Sequence, residues 1–314
     1  MKLLAAFLKL IRWLNLVFIA ITQLLFYYCI IIPILSRANV SVDSFKEYHL
    51  ALIIFSSVAI AAAGYIINDY FDINIDLINK PQRNVVDKIM NRRWAMFWHM
   101  FLSMIGIVTG FYVDYISHHF LLGVSNVICV VLLFVYSLTL KRQLLIGNIL
   151  ISLLTAWVVF VIGIYVLLDF LLIPGAKPDF VSRILRITLL YTAFAFIISL
   201  IREVVKDMED IEGDRKHGCR TMPIVWGINA TKIFTAVWLI VITGIIITVQ
   251  GYVLLFGWWG STVYVFLLIV FPLVWIFRKL IKAQTASDFN HLSQWIKLVM
   301  FTGICSMVFF RLYL

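Results

Sequence analysis

The stretch HLALIIFSSVAIAAAGYIINDYFDINID, residues 49–76, joins a long apolar run to a row of carboxylates. About 20 apolar residues suffice for a helix to cross a bilayer, so residues 49–68 predict a membrane-spanning helix. The acids that follow have the spacing Asp69-x-x-Asp72-x-x-x-Asp76. On a helix this spacing places three carboxylates on one face, where they repel one another. The stretch therefore predicts a membrane helix with a cation-binding face at its end.

A second acidic row repeats this spacing further along the chain. Asp207, Asp210 and Asp214 stand in the same register as the first three aspartates, and they also follow an apolar run. Six carboxylates at a membrane surface make physical sense chiefly if cations offset their charge. We interpret the two rows as the two halves of one metal site.

Composition places the whole chain in a membrane. Hydrophobic residues make up 63% and charged residues 13%, with a mean hydropathy of +1.01, whereas a soluble domain is about half apolar and a quarter charged. We predict an all-α polytopic membrane protein with nine transmembrane helices in one bundle around a central cavity. The predicted spans are 12–36, 49–68, 95–115, 119–140, 146–169, 184–204, 232–254, 258–277 and 294–313.

The spans indicate one domain over residues 1–314 and a defined orientation. Two four-helix units, about 12–140 and 146–277, each carry an acidic row after the second helix, and a ninth helix follows. If the N-terminus is cytoplasmic, 20 of the 26 basic residues fall on the inner side, as the positive-inside rule requires. We therefore expect the N-terminus and the active site to be cytoplasmic and the C-terminus to lie on the outer side.

The net charge of +10 calls for no nucleic-acid partner, since a basic face beside anionic membrane lipids or an anionic substrate explains it. Magnesium takes oxygen ligands and is often bound by a few carboxylates together with substrate phosphates. Two acidic rows facing one cavity would suit a diphosphate bridged by Mg²⁺, with nearby basic residues contacting the phosphate oxygens. These candidate basic residues are Lys80, Arg83, Lys141, Arg142, Arg202 and Lys206.

The motifs together resemble the UbiA superfamily of intramembrane prenyltransferases. The resemblance covers nearly the whole chain, including the nine-helix plan. The segments that carry it are Arg12-x-x-Asn15, Asn68-Asp69-Tyr70-Phe71-Asp72-Ile73-Asn74-Ile75-Asp76, Asn79-Lys80-Pro81, Tyr136-Ser137-x-x-Leu140-Lys141-Arg142, Arg202-Glu203-x-x-Lys206-Asp207-x-x-Asp210-x-x-Gly213-Asp214 and Gly218-Cys219-Arg220-Thr221-Met222-Pro223.

The resemblance implies an enzyme that ionises the allylic C–O bond of an isoprenyl diphosphate with the help of Mg²⁺. A nucleophile on a lipophilic acceptor then captures the prenyl cation. The implied catalytic and metal-binding residues are Asp69, Asp72, Asp76, Asp207, Asp210 and Asp214. The implied substrate-binding residues are Asn15, Asn68, Lys80, Arg83, Tyr136, Lys141, Arg202 and Lys206.

The residue pattern of the two acidic motifs is most similar to that of the digeranylgeranylglyceryl phosphate synthase branch. This resemblance implies geranylgeranylglyceryl phosphate as the acceptor. The chain departs from that branch at Asn84, where proline is common, and at Met222, where leucine is usual. An aromatic quinone precursor of the hydroxybenzoate, dihydroxynaphthoate or homogentisate type therefore stays open as the acceptor. From the residues alone, a secondary transporter and a non-catalytic lipid-binding scaffold also stay open.

Overall fold

A computed structural model describes residues 2–37, 47–79, 91–171 and 178–313, which form helices and short connections. The predicted all-α membrane fold is confirmed, because nine helices within these residues are long and apolar enough to cross a bilayer. A shorter helix precedes them, and two short helices lie between the sixth and the seventh. The helices are α1 Lys2–Leu10, α2 Trp13–Arg37, α3 Glu47–Asn79, α4 Arg92–Ser117, α5 Leu121–Leu138, α6 Ile146–Leu171, α7 Pro178–Glu209, α8 Ile211–Lys216, α9 Met222–Val225, α10 Gly227–Leu254, α11 Trp259–Lys282 and α12 Ala286–Tyr313.

The two helices that carry the acidic rows are longer than their predicted membrane spans. Helix α3 continues past residue 68 to Asn79, and α7 continues past residue 204 to Glu209. With 33 residues, α3 is about 50 Å long, against about 30 Å for the hydrocarbon core. The apolar runs predicted only the part inside the hydrocarbon, whereas the helical backbone extends beyond it.

Two of the membrane helices contain a π-helical turn. One spans Phe26–Ile31 in α2 and the other spans Phe266–Val270 in α11. Pro33 and Pro272 follow these turns. Proline has no N–H group to donate and its ring displaces the carbonyl group four residues earlier, so an extra residue in the preceding turn relieves the clash.

The helices pack around two centres. Helix α3 contacts α2, α4 and α5, and α7 contacts α6, α10 and α12. Of the two largest apolar clusters, one includes Phe26, Ile53 and Ile162, and the other includes Ile201 and Leu273. Large apolar side chains are also exposed on the outer helix faces, as expected for a protein whose surroundings are lipid.

The two ends of the bundle differ in chemistry. At one end, Arg12 donates a hydrogen bond of 2.7 Å to Asp69 near the end of α3. At the other end of α2, Arg37 donates to the carbonyl oxygen of Tyr313 at 3.2 Å. Because α2 crosses the bundle, these contacts lie at opposite ends. We call the end that carries Asn68–Asn79 and Arg202–Lys216 the acidic end.

Candidate active site

The first acidic row lies on continuous helix, as its spacing predicted. Asp69, Asp72 and Asp76 all belong to α3. Asp72 forms an ion pair with Lys141, which follows α5. Asp69 pairs with Arg12, whose backbone has a φ of 51° in the left-handed region. Burial opposes the charge of Arg12, but Asp69, together with Tyr65 and Asp76, outweighs it and raises the pKa of the guanidinium group.

The second row does not lie on one helix, so the prediction of a single carboxylate face is wrong here. Helix α7 ends at Glu209, the chain bends at Asp210, and α8 begins at Ile211. Asp207 therefore stands on α7 and Asp214 on α8. Aspartate and glycine are weak helix formers; Asp210 stands at the bend, and Gly213 lies in the short helix that follows it. The spacing alone does not reveal the bend.

The side chain of Asn79 joins the two acidic rows. The Nδ2 atom of Asn79 donates to the carbonyl oxygen of Asp210 at 3.1 Å, and its Oδ1 atom accepts from the backbone nitrogen of Gly213 at 2.8 Å. Glycine is needed here, because a Cβ atom at position 213 would lie 2.4 Å from Asn79 Oδ1. The end of α3 and the start of α8 are thus held side by side.

Two further side chains lie close to both rows. Tyr136 on α5 is within electrostatic range of Asp72 and Asp207. The Cys219 thiol interacts with Asp214 and Asp72, and burial followed by the Asp214 charge raises its pKa to about 11. The two rows therefore share one end of the bundle. Within the described ranges, however, no three His, Cys, Asp or Glu side chains form a compact metal cage.

Cationic and amide groups surround the carboxylates. Asn148 on α6 donates a hydrogen bond of 2.8 Å to Asp207. Glu203 accepts from Arg202 at 3.0 Å and from Lys206 at 2.9 Å. Each of these charged groups is engaged with a partner, so the acidic end is an ordered network of ion pairs and hydrogen bonds.

A cavity of about 430 Å³ runs from the acidic end into the bundle. Along α7 its lining extends from Lys206 back to Leu190, or about 24 Å at 1.5 Å per residue. Its far end is lined by Trp258, in the connection between α10 and α11, and by Phe310 near the end of α12. Most of the wall is apolar, and the aromatic residues in it are Phe18, Tyr65, Tyr136, Trp157, Tyr191, Phe194, Trp258 and Phe310.

The structure places the predicted site residues in three groups, apart from two that it does not describe. Lys141 lies beside the cavity, since its Nζ atom is 3.5 Å from Asn68 Oδ1. The six aspartates are at the acidic end but do not line the cavity wall. Lys80 and Arg83 fall outside the described residues. The predicted residues that do line the cavity are Asn15, Asn68, Tyr136, Arg202 and Lys206.

Several residues of the site were not among the predicted ones. Glu203 is not among the predicted ligands and instead pairs with two neighbouring basic residues, Arg202 and Lys206. Asn79 and Arg12 stand in the quoted motifs, so their motif positions were the available signal. Asn148 and Lys297 lie in runs where neither spacing nor composition distinguishes them. Lys297 nevertheless donates to Asn15 at 2.8 Å and lines the cavity.

The chain is similar in sequence to known proteins. The model of the UbiA prenyltransferase family matches residues 24–301. The chain is 28% identical over 246 residues to the digeranylgeranylglyceryl phosphate synthase of Methanosphaera stadtmanae, covering 78% of this chain and 81% of that one. It is 34% identical over 179 residues to the synthase of the same name from Methanothermobacter thermautotrophicus, covering 57% of this chain and 56% of that one.

Solved structures show the same fold. A structure from work on digeranylgeranylglyceryl phosphate synthase in membranes superposes with a TM-score of 0.65 at 22% identity, over 98% of this chain and 99% of the other. A UbiA homolog from Archaeoglobus fulgidus, bound to GPP and Mg²⁺, superposes with a TM-score of 0.55 at 14% identity, over 96% and 99% of the two chains. At these identities the likeness concerns the fold.

Proposed function

The chain belongs to the UbiA prenyltransferase family, and on that premise we propose that it transfers a prenyl group from an isoprenyl diphosphate to geranylgeranylglyceryl phosphate. The observation that carries the proposal is the continuity of a long apolar cavity with the acidic end. One cavity can then hold an apolar tail beside groups that bind phosphate. The names of the two relatives above support the choice of acceptor.

The aspartate rows fit a magnesium requirement. Mg²⁺ prefers oxygen ligands and usually takes one or two carboxylates, with substrate phosphates and water completing its shell. Separate carboxylates on two facing segments suit this mode better than a closed protein cage would. When bound, Mg²⁺ would neutralise charge on the diphosphate as it departs. The residues that would hold it are Asp69, Asp72, Asp76, Asp207, Asp210 and Asp214.

The chain's own side chains would position and protect the reacting groups. Lys141 lies between Asp72 and Asn68, from where its ammonium group would donate to a diphosphate oxygen. We propose that Lys80 and Arg83 contact the same diphosphate. Asn148 would keep the Asp207 carboxylate oriented.

Transfer breaks the allylic C–O bond, and the diphosphate leaves with the electron pair. The acceptor hydroxyl oxygen then forms a new C–O ether bond and releases its proton. The apolar wall excludes water that would otherwise capture the prenyl cation. The rings of Tyr65 and Tyr136, which line the polar end of the cavity, would stabilise that cation through their faces.

The test uses purified enzyme in nanodiscs with C10, C15, C20 and longer diphosphates. Each donor is paired with geranylgeranylglyceryl phosphate, hydroxybenzoate, dihydroxynaphthoate or homogentisate, and products are identified by mass spectrometry. We expect a Mg²⁺-dependent ether product with the glycerol-phosphate lipid, lost with a chelator and restored by Mg²⁺. An aromatic product alone would refute the acceptor, and vesicle uptake of the donor without bond cleavage would indicate a transporter.

Matched variants test the acidic rows. Asp72→Asn and Asp207→Asn should each lower the rate at least 100-fold, because each removes a carboxylate charge from the diphosphate site. Glu212→Gln is the control, since Glu212 lies between Asp210 and Asp214 but is exposed and pairs with Lys216 on its own short helix. Wild-type rates in both aspartate variants would contradict the proposed metal site.

The protein is an integral, multi-pass membrane protein, and the positive-inside bias supports an acidic end that faces the cytoplasm. Cysteine scanning with an impermeant maleimide on intact cells tests this orientation. A cysteine at Leu312 should be labelled, and one at Lys216 should be protected until the membrane is opened. The reverse pattern would place the active site outside. The division into two four-helix units stays a prediction.

A further inference from the structure

A second cavity, of about 190 Å³, lies between the C-terminal part of α7 and the N-terminal half of α12. We call it the basic pocket and define it by its lining residues, which are Arg202, Lys206, Glu209, Asn290, Ser293, Gln294 and Lys297. Its volume is that of roughly six water molecules in the liquid, which is enough for a phosphate group. The three basic residues also line the main cavity, so the basic pocket lies beside the place of prenyl transfer.

The carboxylates near the basic pocket already accept hydrogen bonds from neighbouring side chains. Glu203 accepts hydrogen bonds from both Arg202 and Lys206, at 3.0 and 2.9 Å. One carboxylate therefore serves two cations. Glu209, which also lines the pocket, accepts a hydrogen bond of 2.6 Å from Asn290. Among the side chains that line the pocket, three are positive and one, Glu209, is negative.

Lys297 adds a further positive charge. Its ammonium group donates to the amide oxygen of Asn15 at 2.8 Å and lies 5.3 Å from the ring centroid of Phe18. The charges that act on it come from Arg202 and Arg12, both of which are positive. Arg202 also has a buried Nε atom with no hydrogen-bond partner in the described part of the chain.

This combination is chemically suited to an anion. Like charges repel strongly where water is scarce, and an anion that accepts from Arg202 and Lys297 would relieve the repulsion and satisfy the buried Nε atom. The group must be compact and carry several acceptor oxygens. A phosphate monoester meets both conditions.

The basic pocket is separate from Lys141, the cation that pairs with the first acidic row. Lys141 pairs with Asp72 and approaches Asn68, on the side of α3 and the connection after α5, whereas the basic pocket belongs to α7 and α12. On the basis of the proposed function, we propose that the basic pocket binds the phosphate group of the acceptor lipid. The two substrates would then place their anionic groups at different positions around one apolar cavity.

The principal test is a comparison of Michaelis constants for the two substrates. In Lys297→Met, which keeps the apolar stem and removes the charge, KM for geranylgeranylglyceryl phosphate should rise at least tenfold. KM for the isoprenyl diphosphate should change less than twofold. Lys297→Arg should restore most of the affinity for the acceptor, and inorganic phosphate should compete with the acceptor in the wild-type enzyme.

Two further variants keep the test decisive if Lys297→Met folds poorly. Gln294→Glu places a negative charge at an exposed position of the pocket rim and should also raise KM for the acceptor. Lys282→Met, at an exposed lysine on α11, should change neither constant. Binding of the acceptor in the absence of donor and Mg²⁺ can be measured by thermal shift. It should be weaker in Lys297→Met and Gln294→Glu, and unchanged in Lys282→Met.

The outcomes separate this inference from the proposed function. If the wild-type enzyme prenylates only an aromatic acceptor, the proposed function fails. If it prenylates the glycerol-phosphate lipid and both pocket variants keep a wild-type KM for that lipid, the basic pocket is wrong and the function stands. If KM rises for the isoprenyl diphosphate instead, the pocket binds the donor diphosphate, and our assignment of the pocket to the acceptor is refuted.

Discussion

Substituting Asn79 tests whether the two acidic rows must be held together, because Asn79 is not itself a proposed ligand. Its amide makes hydrogen bonds of 3.1 and 2.8 Å to the backbone of Asp210 and Gly213. Each bond contributes about 1 kcal/mol net, so Asn79→Ala removes about 2 kcal/mol of the free energy that holds the two rows together. Since 1.4 kcal/mol corresponds to about tenfold in rate, we expect kcat/KM to fall by up to about 30-fold.

Gly213→Ala provides the second half of a double-mutant cycle. Its methyl group would lie 2.4 Å from Asn79 Oδ1, so the amide must move away and lose the same hydrogen bonds. A similar fall in kcat/KM should follow. When Asn79 is already alanine the methyl group has room, so the double variant should be no worse than either single one.

The assay measures initial rates over a range of donor concentrations at saturating Mg²⁺, with thermal unfolding recorded for each variant. Asn74→Ala is the matched control, because Asn74 is an exposed asparagine on the same helix. If Asn79→Ala behaves like Asn74→Ala, the bridge does not hold the rows in register. Multiplicative losses in the double variant would refute the shared-contact reasoning.

Three other predictions follow from single contacts. Asn148→Ala removes a hydrogen bond of 2.8 Å to a carboxylate of the second row. Such bonds contribute about 1.5–3 kcal/mol, so steady-state kcat should fall about 10- to 100-fold; an unchanged kcat would contradict a positioning role. Trp258→Ala should open the cavity at the end opposite the acidic end, where Trp258 lines it. Mass spectrometry of competition reactions should then show a shift toward longer prenyl donors, and an unchanged product ratio would exclude Trp258 as the limit. Gly163→Ala would place a methyl group 2.3 Å from the hydroxyl oxygen of Thr188 and cost about 1–3 kcal/mol through overpacking. Its melting temperature in detergent should fall, whereas Gly244→Ala, with nothing within 4 Å of the added Cβ, should melt at or above the wild-type value.

The membrane helices were predictable because their length and apolarity are properties of the sequence itself. The ends of α3 and α7 were not, since the parts that extend beyond the hydrocarbon are polar. Contacts from other helices accompany these parts, such as Arg12 to Asp69 and Asn148 to Asp207. Such contacts join residues far apart in sequence, so no local pattern contains them.

The position of the candidate site was predictable, while its internal geometry was not. The repeated aspartate spacing pointed to two matching rows, and both lie at one end of the bundle. A continuous helix and a helix that bends at Asp210 have the same spacing, so only the structure separates them. The partner of the bend, Asn79, precedes it by more than a hundred residues along the chain.

The basic residues show most clearly why the sequence could not tell which part of the site binds the donor and which binds the acceptor. The positive-inside rule predicts lysine and arginine at these helix ends whether or not they bind substrate. In the structure Lys141 pairs with the carboxylate of Asp72, whereas Lys297 donates to an amide and is acted on by two arginines. A paired cation beside metal-binding acids suits a diphosphate that arrives with magnesium. A cation among other cations suits an anion that arrives without a metal, and the phosphate of a lipid acceptor is such an anion.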